Sequence, residues 1–343
     1  MKKTTTILVG LLSVITSNSY TQEVFSWSKG TGYCSPSVIG LPRPKALVIK
    51  YEVQPNYRIT STAKDGNFEN SNAEINRNRR LDFRLRFPIV NKPSLTIAAG
   101  LKYSREEFRF DNYPTSSAFY NNLEDRDLKS IGAHLYVVKP TKTNRYFILR
   151  AGFDFNGDYP SDKIKTSEFL KFSITPLIGW KKSDNLSYAV GLSYGYAFGH
   201  PLIYPVLSYN KNFNCNWGIE SLLPISLKLR YTKNEKNYFY AGLELQGNSY
   251  RLGNSDSVFR AYDKLHLFHS ELRFTITYER ELHDWLWFGI EAGERHSLSF
   301  NVTNGPKTKS DIILKNKLSE ATLINASIFI VPPKGFFRKS TGT

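Results

Sequence analysis

The chain has 343 residues, a formal net charge of +16 and 14% aromatic residues, but only 2 Cys and 1 Met. The length allows one large barrel or two ordinary domains, and so few cysteines argue against a fold held together by disulfides. The basic residues are scattered singly along the chain, which argues against a nucleic-acid partner and favours anionic lipid headgroups or acidic solutes.

The start of the chain has the order of a secretory signal peptide. Lys2 and Lys3 precede an apolar run, Ile7 to Ile15, that is too short to span a bilayer, and a polar stretch follows it. Small residues before Gln22 predict cleavage near Thr21/Gln22. No later apolar run is long enough for a transmembrane helix, so any insertion into a membrane must use strands.

Apolar side chains recur with a period of two along almost the whole mature chain, which predicts β-strands. Clear examples are ALVIKYEVQPNYRI (46–59), RLDFRLRFPI (80–89), FLKFSITPLIGW (169–180), NLSYAVGLSYGYAF (185–198) and LFHSELRFTITYER (267–280). Runs of about ten residues match a tilted strand that crosses a bilayer. From Ser187 to Ala197 the second face carries only Gly, Ala and Ser. We therefore expect Leu192 to face lipid and Gly191 to face a lumen with room for a small polar side chain.

The connections between these runs alternate between short and long. The short ones are 90–93, 139–144, 181–185, 233–237 and 280–284, and the long ones are 60–73, 111–126, 156–167, 253–263 and 301–319. Outer-membrane barrels have short periplasmic turns and long outer loops, whereas a sandwich has no reason to sort its loops by parity. The connection GHPL (199–202) is short where a long one is expected. If 218–231 is read as two strands with a bend at Pro224, every later connection keeps the expected parity. This reading favours about fourteen strands over about twelve.

The sequence thus predicts an all-β protein, an antiparallel up-and-down transmembrane β-barrel of about 12–14 strands in the bacterial outer membrane. Trp180, Tyr188, Tyr278 and Trp285 flank short turns, as an aromatic girdle would. A soluble lipid-binding barrel is the alternative. The predicted organisation is a signal peptide (1–21), an N-terminal segment (22–44), the barrel (45–332) and a C-terminal tail (333–343).

Two segments carry a family resemblance. GIESLLPISLKLRY (218–231) and YFYAGLELQGNSYRL (238–252), joined by TKNEKN, resemble an uncharacterised family of Gram-negative outer-membrane β-barrels, domain of unknown function 6268. The resemblance implies a membrane barrel from about residue 45 to 332, and it brings no known activity and no catalytic residues.

The alternation places charged side chains in the lumen. The predicted lumen-lining residues are Arg80, Asp82, Arg84, Arg86, Arg150, Asp154, Lys171, Arg230, Glu244, Glu271, Arg273 and Glu291, with Glu52 and Lys228 on the same face. A water-filled pore with these walls would prefer anions. A closed barrel would instead hold a network of paired charges, such as Asp82 beside its neighbouring arginines. The close interleaving of acids and bases favours the network.

No motif predicts catalysis, a metal or a cofactor. HLFHSE (266–271) brings His269, Ser270 and Glu271 together in sequence, but on a strand Ser270 points away from the other two. No spacing of His and Cys suits a metal, and no phosphate-binding loop is present. Three functions stay open: a passive or anion-preferring channel, a structural or adhesion barrel acting through its outer loops, and a barrel lipid hydrolase. The expected partners are outer-membrane lipid, lipopolysaccharide and small anionic solutes.

Overall fold

The structure is a computed structural model that describes residues 38, 41–142, 144–159, 166–253, 259, 261–262 and 264–333. The predicted signal peptide, with its cleavage site, lies outside the described residues, as do most of the N-terminal segment, Cys34, and all but the first residue of the tail. Cys215 is exposed.

The described chain forms strands and two short helices. The strands are β1 (Leu47–Ala63), β2 (Ser71–Lys92), β3 (Leu95–Asp111), β4 (Leu128–Lys142), β5 (Arg145–Gly157), β6 (Leu170–Ser183), β7 (Leu186–Gly195), β8 (Leu202–Asn212), β9 (Trp217–Leu223), β10 (Ser226–Asn234), β11 (Asn237–Arg251), β12 (Leu265–His283), β13 (Leu286–Asn304), β14 (Ile312–Leu318) and β15 (Ala321–Ile330). The helices are α1 (Ala118–Asp125) and α2 (Thr166–Phe169). Among the described helices, none is long and apolar enough to cross a membrane.

The strands close into an antiparallel barrel. Each strand from β1 to β13 pairs with the next, and the circle is completed by β14 and β15 between β13 and β1. β15 pairs with the first half of β1 and β14 with its second half, so the two segments occupy one strand position. The barrel therefore has fourteen strands, which confirms the predicted fold class at the upper strand count.

The predicted loop parity is observed. One rim has the short connections 93–94, 143–144, 184–185, 213–216, 235–236 and 284–285. The other has the longer connections 64–70, 112–127, 158–169, 196–201, 252–264 and 305–311, and also the two-residue turn 224–225. The predicted long loop 301–319 is shorter than expected, because β14 lies within it. Pro224 and Ile225 form the turn between β9 and β10, as the bend at Pro224 predicted. We call the two rims the short-turn rim and the long-loop rim.

The barrel wall has unequal height. β2 has 22 residues and β12 and β13 have 19 each, whereas β9 has 7 and β10 has 9. We call β11 to β15 and β1 to β5 the tall wall, and β6 to β10 the short wall.

The tall wall closes on itself near the long-loop rim. β11 separates from β10 beyond Leu245 and reaches β5, where Arg251 pairs with Gly157 in parallel. The connection 196–201 of the short wall then packs against upper β11, so closely that a Cβ added at Gly247 would lie 2.2 Å from the carbonyl oxygen of Ala197. The upper parts of β11 and β12 therefore turn their outer faces towards the short wall.

The outer surface carries an apolar belt. Large apolar side chains exposed on it include Ile49, Leu101, Phe153, Ile178, Val190, Leu192, Ile203, Leu229, Ile276, Ile290, Ile324 and Ile328. Leu192 is 56% exposed, in agreement with its predicted outward position. At the short-turn rim Trp180 stacks on Tyr188 with ring centroids 5.4 Å apart, as the predicted girdle requires.

The space expected beside Gly191 is absent. A Cβ built at Gly191 would lie 2.0 Å from the carbonyl oxygen of Pro176, on the neighbouring strand β6. The expectation that a serine would fit there was wrong, because the backbone of β6 approaches this position too closely.

Candidate functional site

The half of the lumen nearest the long-loop rim is filled by an apolar plug. Helix α1 lies in the connection 112–127, and its Phe119, Tyr120 and Leu123 are each at most 1% exposed. The ring of Tyr120 stacks on Phe110 of β3 with centroids 5.0 Å apart. The other buried residues of the plug are Tyr57, Ile59, Phe68, Ala73, Ile75, Phe108, Ala118, Leu128, Tyr250, Leu252, Phe259, Tyr262, Leu265, Leu267, Phe300, Val302, Ile313, Leu314, Leu318 and Ala321.

Asp158 joins the loops above the plug. Its carboxylate accepts a hydrogen bond from Asn122 Nδ2 of α1 at 2.9 Å and another from the backbone N–H of Gly253 at 2.6 Å. Burial raises the pKa of the Asp158 carboxyl above its usual value. One side chain therefore ties α1 to the ends of β5 and β11.

A charged network lies below the plug. Arg273 on β12 donates to both oxygens of Glu52 on β1 at 2.8 Å, and its Nε donates to Glu271 at 2.7 Å. Arg80 on β2 donates to Glu106 on β3 at 2.8 Å. Two-point contacts between arginine and carboxylate are the strongest of these pairings and hold both side chains in one orientation.

The network crosses the lumen. Arg80 reaches Gln246 on β11 at 3.0 Å and Glu271 on β12 at 3.4 Å. Glu271 also meets His269 at 3.3 Å and Arg295 at 3.7 Å, and is itself 2% exposed. Because side chains from β2 bond directly to β11 and β12, walls that are not neighbours in the sheet are joined at this level.

The half of the lumen nearest the short-turn rim has a different character. Arg84 is exposed, and Arg86 and Arg150 are half-buried. The guanidinium of Arg86 lies over the ring of Tyr136 at 4.8 Å. We call Arg84, Arg86 and Arg150 the basic inner vestibule. Near the same rim, inward residues of β4 to β8 and of β11, β13 and β15 form two buried apolar clusters, so the vestibule occupies only one side of this half of the lumen.

Most of the other predicted lumen residues are also paired, and two of these pairs touch the network. Lys50 lies 3.6 Å from Glu52, and Glu244 accepts a hydrogen bond from Gln246 at 2.8 Å. Asp154 meets Lys102 at 3.3 Å and His134 at 3.4 Å, Glu244 meets Lys228 at 3.4 Å, Glu291 meets Lys50 at 3.1 Å, and Arg230 meets Glu220 at 2.8 Å. Asp82 is buried beside Arg80 rather than in an ion pair with the exposed Arg84. Lys171 lies apart from all of these, against the outer face of upper β12.

Sequence reasoning missed Glu106 and Arg295, which belong to the network. Around Glu106 the strand reads Ser104, Arg105, Glu106, Glu107, so both faces are polar and alternation does not reveal which one is inside. This part of β3 lies above the apolar belt, where the outer face no longer needs to be apolar.

The structure offers no arrangement for nucleophilic catalysis at HLFHSE. His269 and Glu271 face the network, while Ser270, also buried, lies on the opposite face of β12, as the strand geometry predicts. Among the described residues no group of three or more His, Cys, Asp or Glu side chains could hold a metal ion.

Closed topology, the apolar belt and the aromatic girdle together decide the class of protein. The chain is a transmembrane β-barrel. No family model and no curated protein matches it, so the resemblance to domain of unknown function 6268 stays a prediction.

Solved structures with a similar fold are outer-membrane barrels. An outer membrane channel from Pseudomonas putida F1 is 12% identical, with a TM-score of 0.39 and coverage of 89% of this chain and 100% of that one. The NanC porin is 9% identical, with a TM-score of 0.35 and coverage of 84% and 100%. The translocator domain of the autotransporter NalP from Neisseria meningitidis is 12% identical, with a TM-score of 0.34 and coverage of 83% and 88%.

Proposed function

We propose that the protein is a bacterial outer-membrane barrel that stays closed to solutes and acts as a structural or adhesion element through its tall wall. The observation that carries this proposal is the charged network, in which Arg80 and Arg273 join walls on different sides of the lumen. The network supports the closed-barrel alternative over a passive or anion-preferring channel.

Two barriers in series oppose passage of a solute. A solute would have to displace α1 from the plug and then separate buried ion pairs, and breaking one buried pair costs about 3–5 kcal/mol. The inner vestibule would attract anions, but it ends at the network. A basic entrance alone therefore does not make the barrel a conducting channel.

Reconstitution into planar bilayers tests this proposal. We expect no steady single-channel current from the purified full-length protein, with an open porin in the same bilayers as the positive control. Insertion is verified separately, by heat-modifiable migration and protease protection in vesicles. Steady conductance from a verified insertion would overturn the closed-barrel proposal, and anion selectivity of that current would support the channel alternative.

The outer face of the tall wall gives the protein a surface on which to act. Above the apolar belt Arg58, Lys315 and Lys317 are exposed on β1 and β14. Phosphates of lipopolysaccharide lie at the matching level of an outer membrane, and surface basic residues attract anionic headgroups by about 1 kcal/mol each. We propose lipopolysaccharide as the partner of this face.

Binding of lipopolysaccharide tests the partner. Lys315→Gln with Lys317→Gln should lower the amount of lipopolysaccharide that copurifies with the barrel. The matched control is Lys182→Gln with Lys233→Gln, because these two exposed lysines lie near the short-turn rim. Equal losses in both double variants would show that the tall wall has no particular role in binding.

A further inference from the structure

A basic cluster lies where the short wall meets the outer faces of upper β11 and β12. Lys171 of β6 approaches His266 of β12, with 3.4 Å between Nζ and Nδ1. Arg251 is the cross-strand neighbour of His266, and Ser249 precedes Arg251 on the same face of β11. We call these four residues the seam cluster.

Lys171 is buried without a counter-charge. Lys171 is 5% exposed, and no described carboxylate lies within 4.0 Å of Lys171 or His266. Asp154 stands opposite Lys171 in the register of β5 and β6, but it pairs with Lys102 and His134 instead. A buried ammonium group that lacks a carboxylate is costly, and the cost is relieved either by loss of its proton or by an accompanying anion.

The other members of the cluster add hydrogen-bond donors. Arg251 is 4% exposed and holds the carbonyl oxygen of Leu265 at 3.1 Å, while its Nε lies 3.9 Å from the half-exposed Glu168. Ser249 is fully buried, and its hydroxyl has no hydrogen-bond partner in the part of the chain that the structure describes. Buried polar atoms usually have partners, so the hydroxyl of Ser249 is available to donate a hydrogen bond to a bound group.

We propose that the seam cluster binds a small oxyanion of the phosphate class, held by the ammonium of Lys171, the guanidinium of Arg251 and the hydroxyl of Ser249. Lysine and arginine are the side chains that bind oxyanions with charge-assisted hydrogen bonds. The bound anion would neutralise Lys171 and join β6 to β11 and β12 where the tall wall separates from the short wall. This inference does not depend on whether the lumen conducts.

Inorganic phosphate is the probe that tests the site. The full-length protein is refolded in phosphate-free detergent at constant ionic strength, and its urea midpoint is measured as phosphate is added. The midpoint should rise with phosphate, because a ligand that binds only the folded state stabilises it. Lys171→Met should weaken phosphate binding at least tenfold, since it removes a charge-assisted hydrogen bond.

Two further variants keep the test decisive. Lys102→Met removes another inward lysine, one that already pairs with Asp154, and should leave the response to phosphate unchanged. Ser249→Ala removes a buried hydroxyl without a partner, so it should fold at least as well as the parent without phosphate and gain less from phosphate.

Three results would overturn the site. The first is a urea midpoint of the parent protein that does not rise with phosphate. The second is a rise in Lys171→Met equal to that in the parent, and the third is a rise in Ser249→Ala equal to that in the parent. A phosphorylated lipid that stabilises the protein through Lys171 while inorganic phosphate does not would assign the phosphate group to a lipid headgroup and refute the free oxyanion.

Discussion

Arg273 and Arg84 are two inward arginines with opposite surroundings. Arg273 is 2% exposed and holds Glu52 and Glu271, whereas Arg84 is exposed in the vestibule. Removing one partner of a buried ion pair leaves the other charge unpaired in a medium of low polarity. Two arginines that both point into the lumen are therefore expected to contribute very differently to stability.

Arg273→Met should lower the free energy of unfolding by about 3–5 kcal/mol, because Glu52 and Glu271 would stay buried without this guanidinium. Arg84→Met should change it by less than about 0.5 kcal/mol, as is usual for exposed positions. Urea unfolding followed by far-UV circular dichroism measures both values. Equal losses would mean that the network adds no stability beyond that of an exposed inward charge.

Whether a side chain points into the lumen or outward could be predicted for residues at the level of the apolar belt, and much less well for residues above it. Arg80, Glu271 and Arg273 lie on strands with one continuous apolar face, and the sequence placed them inside. At Asn56 the backbone adopts a positive φ of 35°, and the outward positions of β1 change from Ile49 and Tyr51 to Arg58 and Thr60. The apolar residues stay at odd positions along β1, but they face outward before Asn56 and inward after it. The period of two in the sequence is therefore unbroken and does not reveal the change.

On the scale of a strand, a substitution in β7 tests whether the face that carries Leu192 contacts lipid. Leu192→Arg should reduce assembly in vesicles, because an outward arginine near the bilayer midplane costs roughly 2–4 kcal/mol. Asn72→Arg places the same side chain on an exposed outward position of β2 near the long-loop rim and should assemble normally. The fraction of heat-modifiable protein measures assembly, and equal fractions for the two variants would contradict the position of the belt.

A second pair of variants tests the close approach of β6 and β7. Gly191→Ser should impair folding, because its Cβ would lie 2.0 Å from the carbonyl oxygen of Pro176. Gly195→Ser should be tolerated, because the nearest atom there is the hydroxyl oxygen of Tyr204 at 3.4 Å. The yield of folded barrel compares them directly. A folded yield for Gly191→Ser equal to that of Gly195→Ser would show that β6 moves aside easily.

Strands, their order and the parity of their connections could be predicted because each rests on local patterns. The closure of upper β11 onto β5 could not, since one pairing of Arg251 with Gly157 joins strands that are far apart in the chain. The same holds for the connection 196–201, whose contact with Gly247 depends on two backbones meeting. Neither contact gives rise to a repeating pattern of residues from which it could be predicted.

On the scale of the whole molecule, the lumen should be accessible from one rim only. In a protein whose Cys34 and Cys215 are replaced by Ser, Arg84→Cys should react with a charged maleimide that reaches the short-turn rim. Ser61→Cys should be protected, because Ser61 is 2% exposed beneath Tyr120 in the plug. Mass spectrometry of the folded protein quantifies the labelling. Rapid modification of Ser61→Cys would show that the plug opens readily.

The unequal wall also acts on the surrounding membrane. β9 has 7 residues, and at about 3.3 Å per residue and a tilt of about 40° such a strand rises only about 18 Å, against an apolar band of about 25 Å. Lipids beside β9 and β10 must shorten or the barrel must lean, since hydrophobic mismatch is relieved by local thinning or by tilting. The long strands on the other side impose no such demand. The protein consequently has a front and a back in the plane of the membrane, and thin or easily compressed lipid should collect along one side of it.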